Sequence, residues 1–462
     1  MEKQTVRPSN SLHPECPDLL RLGPNRLEAA LRAEAIAVRE EQKGVRDQYL
    51  ELARQEDEQE EGKGVTRRRF FVGAAATATA LATSQFLTTQ ASFAAAPTGT
   101  LIHVFLYGGA DALSLFAPMN DATLQRVRPS FTLPENTSIP LERGFGLNES
   151  FAPLKKYLDA GQLALIPAVS DRRLDRSHFA ATDICQLGGL PAETGGMGWL
   201  TNLADKLGPG TAFRAIGIGS TLPRSLVGGS GALALSNVGA LNVNGDGKFK
   251  QPTVDAIKTL FTGVNHPIES PVRAGIDALT LAQKLAQEGY MPANGVRYTG
   301  VGNAFKELAQ LIKGGANVRI ATIGMGGWDT HQNQGTRGGY VARRFGELAA
   351  GMAAFFDDLG PDLAANVTVM VSSEFGRRVA ENGGGTDHGH GGGVVILSGK
   401  KLAGKVLGTW NGLGTLTNGD VPEMNNMFSV FGSVAQGRFG LTDAEVGRIF
   451  PRQTYTPVKI YA

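Results

Sequence analysis

Five short apolar runs recur between residues 100 and 400, and each is bounded by glycine or polar residues. Apolar runs of this length, without polar alternation, predict strands that are buried on both faces of a sheet. The predicted strands cover residues 101–107, 163–169, 318–323, 367–371 and 394–397.

Helical patterns stand between these runs. Residues 151–159 and 345–359 have amphipathic spacing, and residues 301–312 also have a helical pattern. The alternation of strands and helices predicts an α/β fold, in which a doubly wound, mainly parallel sheet carries helices on both faces.

A glycine- and serine-rich region, at about residues 200–300, interrupts this alternation. Its apolar runs are short, and it contains turn-like segments. We expect a loop-rich cap insertion here, with helical stretches near 252–262 and 271–288.

Two different segments precede the predicted domain, which covers residues 97–462. Residues 1–65 are polar and charged, which predicts a disordered or helical leader. In residues 66–96, Arg67 and Arg68 precede an apolar, alanine-rich stretch, an order that resembles a twin-arginine export signal. We therefore expect the twin-arginine translocase as a partner and a periplasmic or extracellular location. The alternative is an uncleaved segment that anchors the chain in the membrane.

Composition sets further limits on function. The chain has 462 residues, of which 42% are apolar and 19% charged, with a net charge of +2. These values are typical of a soluble globular protein, and they give no reason to expect nucleic acid as a partner. Of the two cysteines, only Cys185 lies within the predicted domain, so we expect no disulfide framework.

Acidic and imidazole side chains cluster where the predicted strands begin or end. Because the carboxyl ends of parallel strands share one edge of a sheet, these side chains are expected to converge there. Mixed carboxylate and imidazole ligands suit a divalent metal such as Zn²⁺, Mn²⁺ or Fe²⁺ better than Ca²⁺ or Mg²⁺. The candidate metal ligands are Asp111, Asp329, His331, Glu374, Asp387, His388 and His390. An alternative for Asp111 is the N-cap of a helix.

Three further residues are candidates for catalysis. Ser177 is predicted to cap a helix that starts at His178, where free backbone N–H groups favour an anion or an alkoxide. Arg377 and Arg378 could bind a phosphate or a sulfate, because guanidinium groups match these anions bidentately. The alternatives are an ordinary capping serine and a solvated pair of basic residues.

The candidate residues lie in five motifs. In chain order these are Gly108-Gly109-Ala110-Asp111, Arg176-Ser177-His178-Phe179, Trp328-Asp329-Thr330-His331, Ser373-Glu374-Phe375-Gly376-Arg377-Arg378 and Thr386-Asp387-His388-Gly389-His390-Gly391. Together they resemble an exported bacterial family, catalogued as domain of unknown function 1501, over about residues 100–460. That family is grouped with the alkaline phosphatase-like superfamily, which includes phosphatases and sulfatases.

The resemblance implies a doubly wound sheet with a hydrolytic site that holds one or two metals. It implies a metal-binding role for Asp111, for the Asp329–His331 pair and for His388 or His390. It also implies that Ser177 is the nucleophile. The sequence departs from the superfamily pattern at Glu374, which stands where an aspartate followed by histidine is usual. One metal histidine is therefore missing there, unless Asp387-His388-Gly389 supplies it.

Two functions are consistent with these patterns. The first is an exported, metal-dependent hydrolase of phosphate or sulfate esters, whose substrate is a small anionic ester. The second is a non-catalytic exported protein that keeps the fold and uses its cleft for binding or assembly.

Overall fold

A computed structural model describes residues 99–229, 231–242, 247–261 and 269–462. The predicted leader and export signal lie outside these residues. Across the described ranges, no helix combines the length and the apolar character that crossing a membrane requires.

Most strands of the described chain belong to one sheet of eight strands, and the others form two small sheets. In chain order the strands are β1 Thr100–Leu106, β2 Phe116–Pro118, β3 Ile139–Pro140, β4 Phe145–Leu147, β5 Leu163–Ser170, β6 Ala215–Ile218, β7 Ala232–Leu235, β8 Ile320–Met325, β9 Val367–Ser373, β10 Arg377–Glu381, β11 Thr386–His388, β12 Gly392–Ser398 and β13 Asn425–Asn426.

The large sheet has the order β13-β5-β12-β9-β1-β8-β6-β7. Strand β12 pairs antiparallel with both β5 and β9, and the other pairings are parallel. All strands except β12 therefore point the same way. Their carboxyl ends share one edge of the sheet with the amino end of β12, and we call this edge the carboxyl edge.

Helices connect the strands. The α-helices are α1 Ala112–Leu115, α2 Ala122–Val127, α3 Lys155–Asp159, α4 His178–Leu187, α5 Pro191–Thr194, α6 Trp199–Lys206, α7 Gly247–Phe261, α8 Glu269–Glu288, α9 Gly302–Lys313, α10 Tyr340–Ala364, α11 Met427–Phe439 and α12 Asp443–Ile449. Short 3₁₀ turns cover Pro129–Phe131, Glu142–Gly144, Glu149–Leu154, Arg224–Leu226, Val238–Ala240 and Ala293–Gly295.

Both faces of the sheet are covered, as the predicted fold class requires. Along β1, Ile102 and Val104 face a core that includes residues of α9 and α10. Leu101 and Phe105 face the opposite core, which includes residues of α4, α6 and α11. This alternation explains why the strand reads as a continuous apolar run. The predicted α/β fold with a mainly parallel sheet is confirmed.

The region predicted as an insertion contributes to the sheet itself. Strands β6 and β7 extend the sheet beyond β8. Each has only four residues, and such short alanine- and glycine-containing segments give little periodic signal. Helices α7 and α8 overlap in sequence with the two helical stretches predicted at 252–262 and 271–288.

Candidate metal centre

Asp329 lies at the centre of a cluster of polar side chains at the carboxyl edge. It follows β8 by way of Gly326 and Gly327, and its side chain is 12% exposed. Gly108, which follows β1, packs directly against this segment. A Cβ atom at Gly108 would lie 2.4 Å from the backbone N of Asp329, and the φ of Gly108 is +121°. The glycine pair after β1 therefore allows two loops to meet at the cluster.

Two histidines place their Nε2 atoms beside the same oxygen of Asp329. The distance to Oδ1 is 3.1 Å from His331 and 3.0 Å from His388. The two Nε2 atoms are themselves 2.9 Å apart. One carboxylate oxygen and two imidazole nitrogens thus form a compact triangle.

His178 completes the cluster from the other side of Asp329. Its Nε2 lies 3.5 Å from Asp329 Oδ2, is buried and has no hydrogen-bond partner. Ligand atoms of His178, Asp329 and His388 all lie within 4.8 Å of one another, an arrangement that could hold a metal ion. From the sequence, His178 was expected as the first residue of a helix and as part of the Arg176-Ser177-His178-Phe179 motif, but it was not predicted as a ligand.

Each of the three imidazoles is oriented by a hydrogen-bond contact at its Nδ1 atom. His178 Nδ1 lies 2.8 Å from Glu374 Oε1, and His331 Nδ1 lies 2.9 Å from Asp387 Oδ1. His388 Nδ1 donates to the backbone oxygen of Arg176 at 2.8 Å. Outer partners of this kind orient histidines that bind metals and leave Nε2 as the ligand atom.

The charges in the cluster stabilise one another. Burial opposes a charge on His178, but the neighbouring carboxylates of Asp329 and Glu374 outweigh it and raise the pKa of His178 to about 9. Burial also opposes a charge on Asp329. The neighbouring imidazoles of His178 and His388, together with the charge of Arg377, nevertheless hold the pKa of Asp329 far below its usual range. Asp329 is therefore ionised at any ordinary pH.

Glu374 and Asp387 were predicted as metal ligands. In the structure each carboxylate contacts the Nδ1 atom of a histidine, Glu374 that of His178 and Asp387 that of His331. Glu374 follows β9, is 1% exposed and also accepts a hydrogen bond from the backbone N–H of Gly108 at 2.8 Å. Asp387 is 52% exposed at its side chain and accepts a second hydrogen bond from Asn382.

The expectation that Arg377 binds a substrate anion is not supported by its position. The side chain is buried, and its donors are already used within the protein. It donates to Asp329 Oδ1 at 2.6 Å and otherwise to backbone oxygens of Gly108, Gly109, Trp328 and Thr386. Arg377 thus joins three loops of the carboxyl edge and fixes Asp329.

Arg378 and Ser177 are more accessible. The side chain of Arg378 is 37% exposed, donates to the backbone oxygen of Asn418 and faces Asp420 at 3.6 Å. Ser177 is exposed and caps α4 at the predicted position, although its side chain makes no capping hydrogen bond. Both residues remain candidates for contact with a ligand.

Two predicted metal ligands have other partners. Asp111 is buried, pairs with Arg128 at 2.7 Å and accepts hydrogen bonds from Ser114 and Gln334 at 2.6 Å. This set of donors already satisfies its carboxylate, so its contacts do not support a ligand role. His390 Nδ1 lies 2.8 Å from Ser170 Oγ, so this imidazole is held by a contact outside the Asp329 cluster. The group His178, Asp329 and His388 includes neither His390 nor His331, but His331 Nε2 lies 3.1 Å from Asp329 Oδ1.

The fold and the site can now be compared with known proteins, and the comparison identifies the family of the chain. Together, fold and site define an α/β protein with three histidines and an aspartate at the carboxyl edge of a mostly parallel sheet. The family described as "Protein of unknown function (DUF1501)" matches residues 190–431, which is more than half of the chain. The chain belongs to this family. The match includes Asp329, His331, Glu374 and His388, whereas His178 precedes it.

Several solved structures resemble the chain at low similarity. The PsFucS1 sulfatase from Pseudoalteromonas sp. has 10% identity and a TM-score of 0.31, covering 82% of this chain and 73% of that one. The Ps i-CgsB complex with k-i-k-neocarrahexaose has 10% identity and a TM-score of 0.32, covering 75% and 73%. An alkaline phosphatase from the Antarctic bacterium TAB5 has 12% identity and a TM-score of 0.23, covering 66% and 92%. TM-scores this low carry no argument about function. No curated protein matches the sequence.

Proposed function

We propose that this protein binds a divalent metal through Asp329, His331 and His388 and uses it to hydrolyse small phosphate or sulfate esters. The observation that carries the proposal is the triangle formed by Asp329 Oδ1 and the two Nε2 atoms, with sides of 2.9 to 3.1 Å. Its chemistry and its size both fit a metal.

The protonation states argue for a cation inside this triangle. The carbonyl oxygen of Arg176 can only accept, so His388 carries its proton on Nδ1. The Asp387 carboxylate draws the proton of His331 to Nδ1 in the same way. With the protons on Nδ1, both Nε2 atoms present lone pairs to each other and to an anionic oxygen. A metal ion between them removes this repulsion, as a proton on one Nε2 atom also would.

The separations also match metal coordination. Metal–nitrogen and metal–oxygen bonds are about 2.0–2.2 Å, so ligand atoms around one ion are separated by about 3 Å at right angles and by about 3.4 Å in the tetrahedral arrangement usual for Zn²⁺. A donor set of imidazoles with one carboxylate suits Zn²⁺, Mn²⁺ or Fe²⁺. The chemistry that such a metal supplies is Lewis-acid polarisation of an ester oxygen and a lower pKa for a bound water.

The chain supplies the remaining parts of the proposed reaction. Arg377 holds Asp329 in its ionised form and in a fixed position. In this proposal Ser177, exposed beside His178 at the start of α4, loses its proton to solvent and attacks phosphorus or sulfur. The bond to the ester oxygen breaks, and the alcohol or phenol leaves after taking up a proton. Water then hydrolyses the seryl ester, which releases phosphate or sulfate and restores Ser177. Arg378, which is partly exposed, contacts the non-bridging oxygens.

A second candidate function is binding without catalysis. Arg377, which was predicted to hold a substrate anion, is committed to internal contacts. A metal centre that holds a ligand but does not turn it over is compatible with this fact.

An activity panel separates the two functions. Purified protein loaded with Zn²⁺, Mn²⁺ or Fe²⁺ is tested against aryl phosphates and aryl sulfates, before and after removal of metal by a chelator. We expect metal-dependent turnover that His331→Ala and His388→Ala abolish and that the control His390→Gln keeps. Stoichiometric metal without turnover of any ester would favour the binding function.

Export is a separate part of the proposal. The paired Arg67 and Arg68 support passage through the twin-arginine translocase to the periplasm or beyond. N-terminal sequencing of the protein recovered from periplasmic and membrane fractions tests this. Material found only in the cytoplasm, with residues 66–96 retained, would contradict it.

A further inference from the structure

We propose that Glu374 is a positioning residue rather than a metal ligand, and that it recruits His178 to the metal centre as an additional ligand. This inference rests on the metal-binding part of the proposed function. It gives Glu374 a role different from the predicted one and adds His178, which was not predicted as a ligand.

The oxygens of Glu374 are already occupied by protein contacts. Oε1 lies 2.8 Å from the backbone N–H of Gly108 and 2.8 Å from His178 Nδ1. Oε2 lies 2.8 Å from Ser373 Oγ, and the whole side chain is buried. A cation would have to displace one of these buried contacts to bind Glu374. The imidazole of His178, in contrast, contacts Glu374 through Nδ1, and its Nε2 atom makes no hydrogen bond.

That nitrogen is the second observation. His178 Nε2 is buried and makes no hydrogen bond, although buried polar atoms in native proteins nearly always make one. It lies 3.5 Å from Asp329 Oδ2, an ion-pair distance, and the imidazole packs against His388 with ring centroids 4.3 Å apart. The Glu374 contact at Nδ1 aims this nitrogen at the cluster, so a metal held by Asp329 and His388 would replace the proton on Nε2 and bind there.

Asp387 makes the same contact with His331 but in a different environment. Its side chain is 52% exposed, whereas that of Glu374 is 1% exposed. Water competes for an exposed carboxylate and can replace it as the partner of an imidazole, but water does not reach Glu374. The buried carboxylate should therefore matter far more for metal affinity than the exposed one.

A double-mutant cycle on Zn²⁺ affinity tests the inference. Dissociation constants are measured by chelator competition for the full-length protein and for Glu374→Gln, His178→Ala, the double variant and the matched control Asp387→Asn. We expect Glu374→Gln to weaken Zn²⁺ binding about 10- to 100-fold, the range typical of outer partners of metal ligands. We expect a clearly smaller loss for Asp387→Asn, and a double variant that binds no more weakly than His178→Ala.

Additive losses in the double variant would overturn the inference, because Glu374 would then act independently of His178. An unchanged affinity in Glu374→Gln would also overturn it. Asp358→Asn, which alters a buried carboxylate among Tyr290, Tyr298 and Lys313, controls for a general loss of stability and should leave the affinity unchanged.

X-ray absorption on the Zn²⁺-loaded wild type needs no variant to fold. Scattering from three imidazole ligands per Zn²⁺ supports the inference, because it equals the number of histidines around Asp329. Scattering from fewer imidazoles, with additional oxygen ligands, would refute it. Failure of the wild type to bind Zn²⁺, Mn²⁺ or Fe²⁺ at all would instead reject the metal centre itself, and with it the proposed function.

Discussion

Replacement of Arg377 by methionine should strongly destabilise the carboxyl edge of the sheet. The side chain is fully buried and donates to Asp329 Oδ1 at 2.6 Å, to Gly109 at 2.6 Å and to Thr386 at 2.8 Å. Methionine keeps the apolar stem but removes every donor. The variant therefore leaves an ionised aspartate and several carbonyl oxygens without their buried partner.

The magnitude follows from these contacts. Loss of one partner of a buried ion pair costs about 3–5 kcal/mol. Each buried carbonyl left without a donor adds about 1–3 kcal/mol unless water replaces the guanidinium. Because the Asp329 side chain is only 12% exposed, little of its charge can be resolvated without local opening. We therefore expect the free energy of unfolding to fall by at least about 3 kcal/mol.

The neighbouring arginine provides a matched control. Arg378→Met removes the same group from a side chain that is 37% exposed. Its partner Asp420 is 4% exposed but keeps an ion pair with Arg176 when Arg378 is replaced. Ion pairs of solvent-exposed arginines contribute about 0–1 kcal/mol, so this variant should unfold close to the wild type. Guanidinium chloride denaturation of both variants in the presence of a chelator measures the difference without a contribution from metal. Equal unfolding midpoints for the two variants would refute the structural role assigned to Arg377.

Three further predictions concern other residues. Gly108→Ala should weaken metal binding and lower stability, since its Cβ would lie 2.4 Å from the backbone of Asp329; unchanged Zn²⁺ affinity would contradict this. Burial lowers the pKa of His103 to about 3, below its unfolded value of about 6.5. The folded state thus binds fewer protons, and this contribution to stability is complete above about pH 6.5 and is lost as the pH falls towards 3. Unfolding of His103→Gln should accordingly depend less on pH over that window, and identical profiles would disprove the assignment. Arg378→Met should raise KM for an anionic ester with little change in metal content, and loss of bound metal would show that its role is different.

The central strands of the sheet could be predicted from the sequence, because strands that are buried on both faces are continuous runs of apolar residues. The long central strands are apolar on both faces, and the predicted runs at 101–107 and 367–371 coincide with β1 and β9 to within two residues. The predicted end of the long helix at 359 reflects Gly360, which has a φ of 70° and precedes Pro361 within α10. Strands as short as β6 carry too few residues for such a pattern.

The centre of the candidate site was also predictable, because Asp329 and His331 are close in sequence and His388 follows a glycine-rich loop. Individual roles were not. A carboxylate that binds a metal and one that orients a histidine have the same sequence signature, and only the position of the Gly108 N–H and of the imidazole of His178 separates them for Glu374.

The missed histidine and the misassigned arginine share one cause. His178 looks like an ordinary first residue of a helix, and Arg377 looks like half of a surface basic pair. Both depend on contacts across nearly 200 residues or between loops, such as the 2.8 Å contact between His178 and Glu374. Local patterns carry no information about such contacts.

The most direct test of the metal centre is the metal content of the purified protein. Elemental analysis should show a stoichiometric divalent transition metal in the wild type. It should show none in the variants Asp329→Asn, His331→Ala and His388→Ala. The control His390→Gln should keep the metal, because His390 contacts Ser170 rather than Asp329. A wild-type protein that stays metal-free after incubation with Zn²⁺, Mn²⁺ and Fe²⁺ would contradict the account.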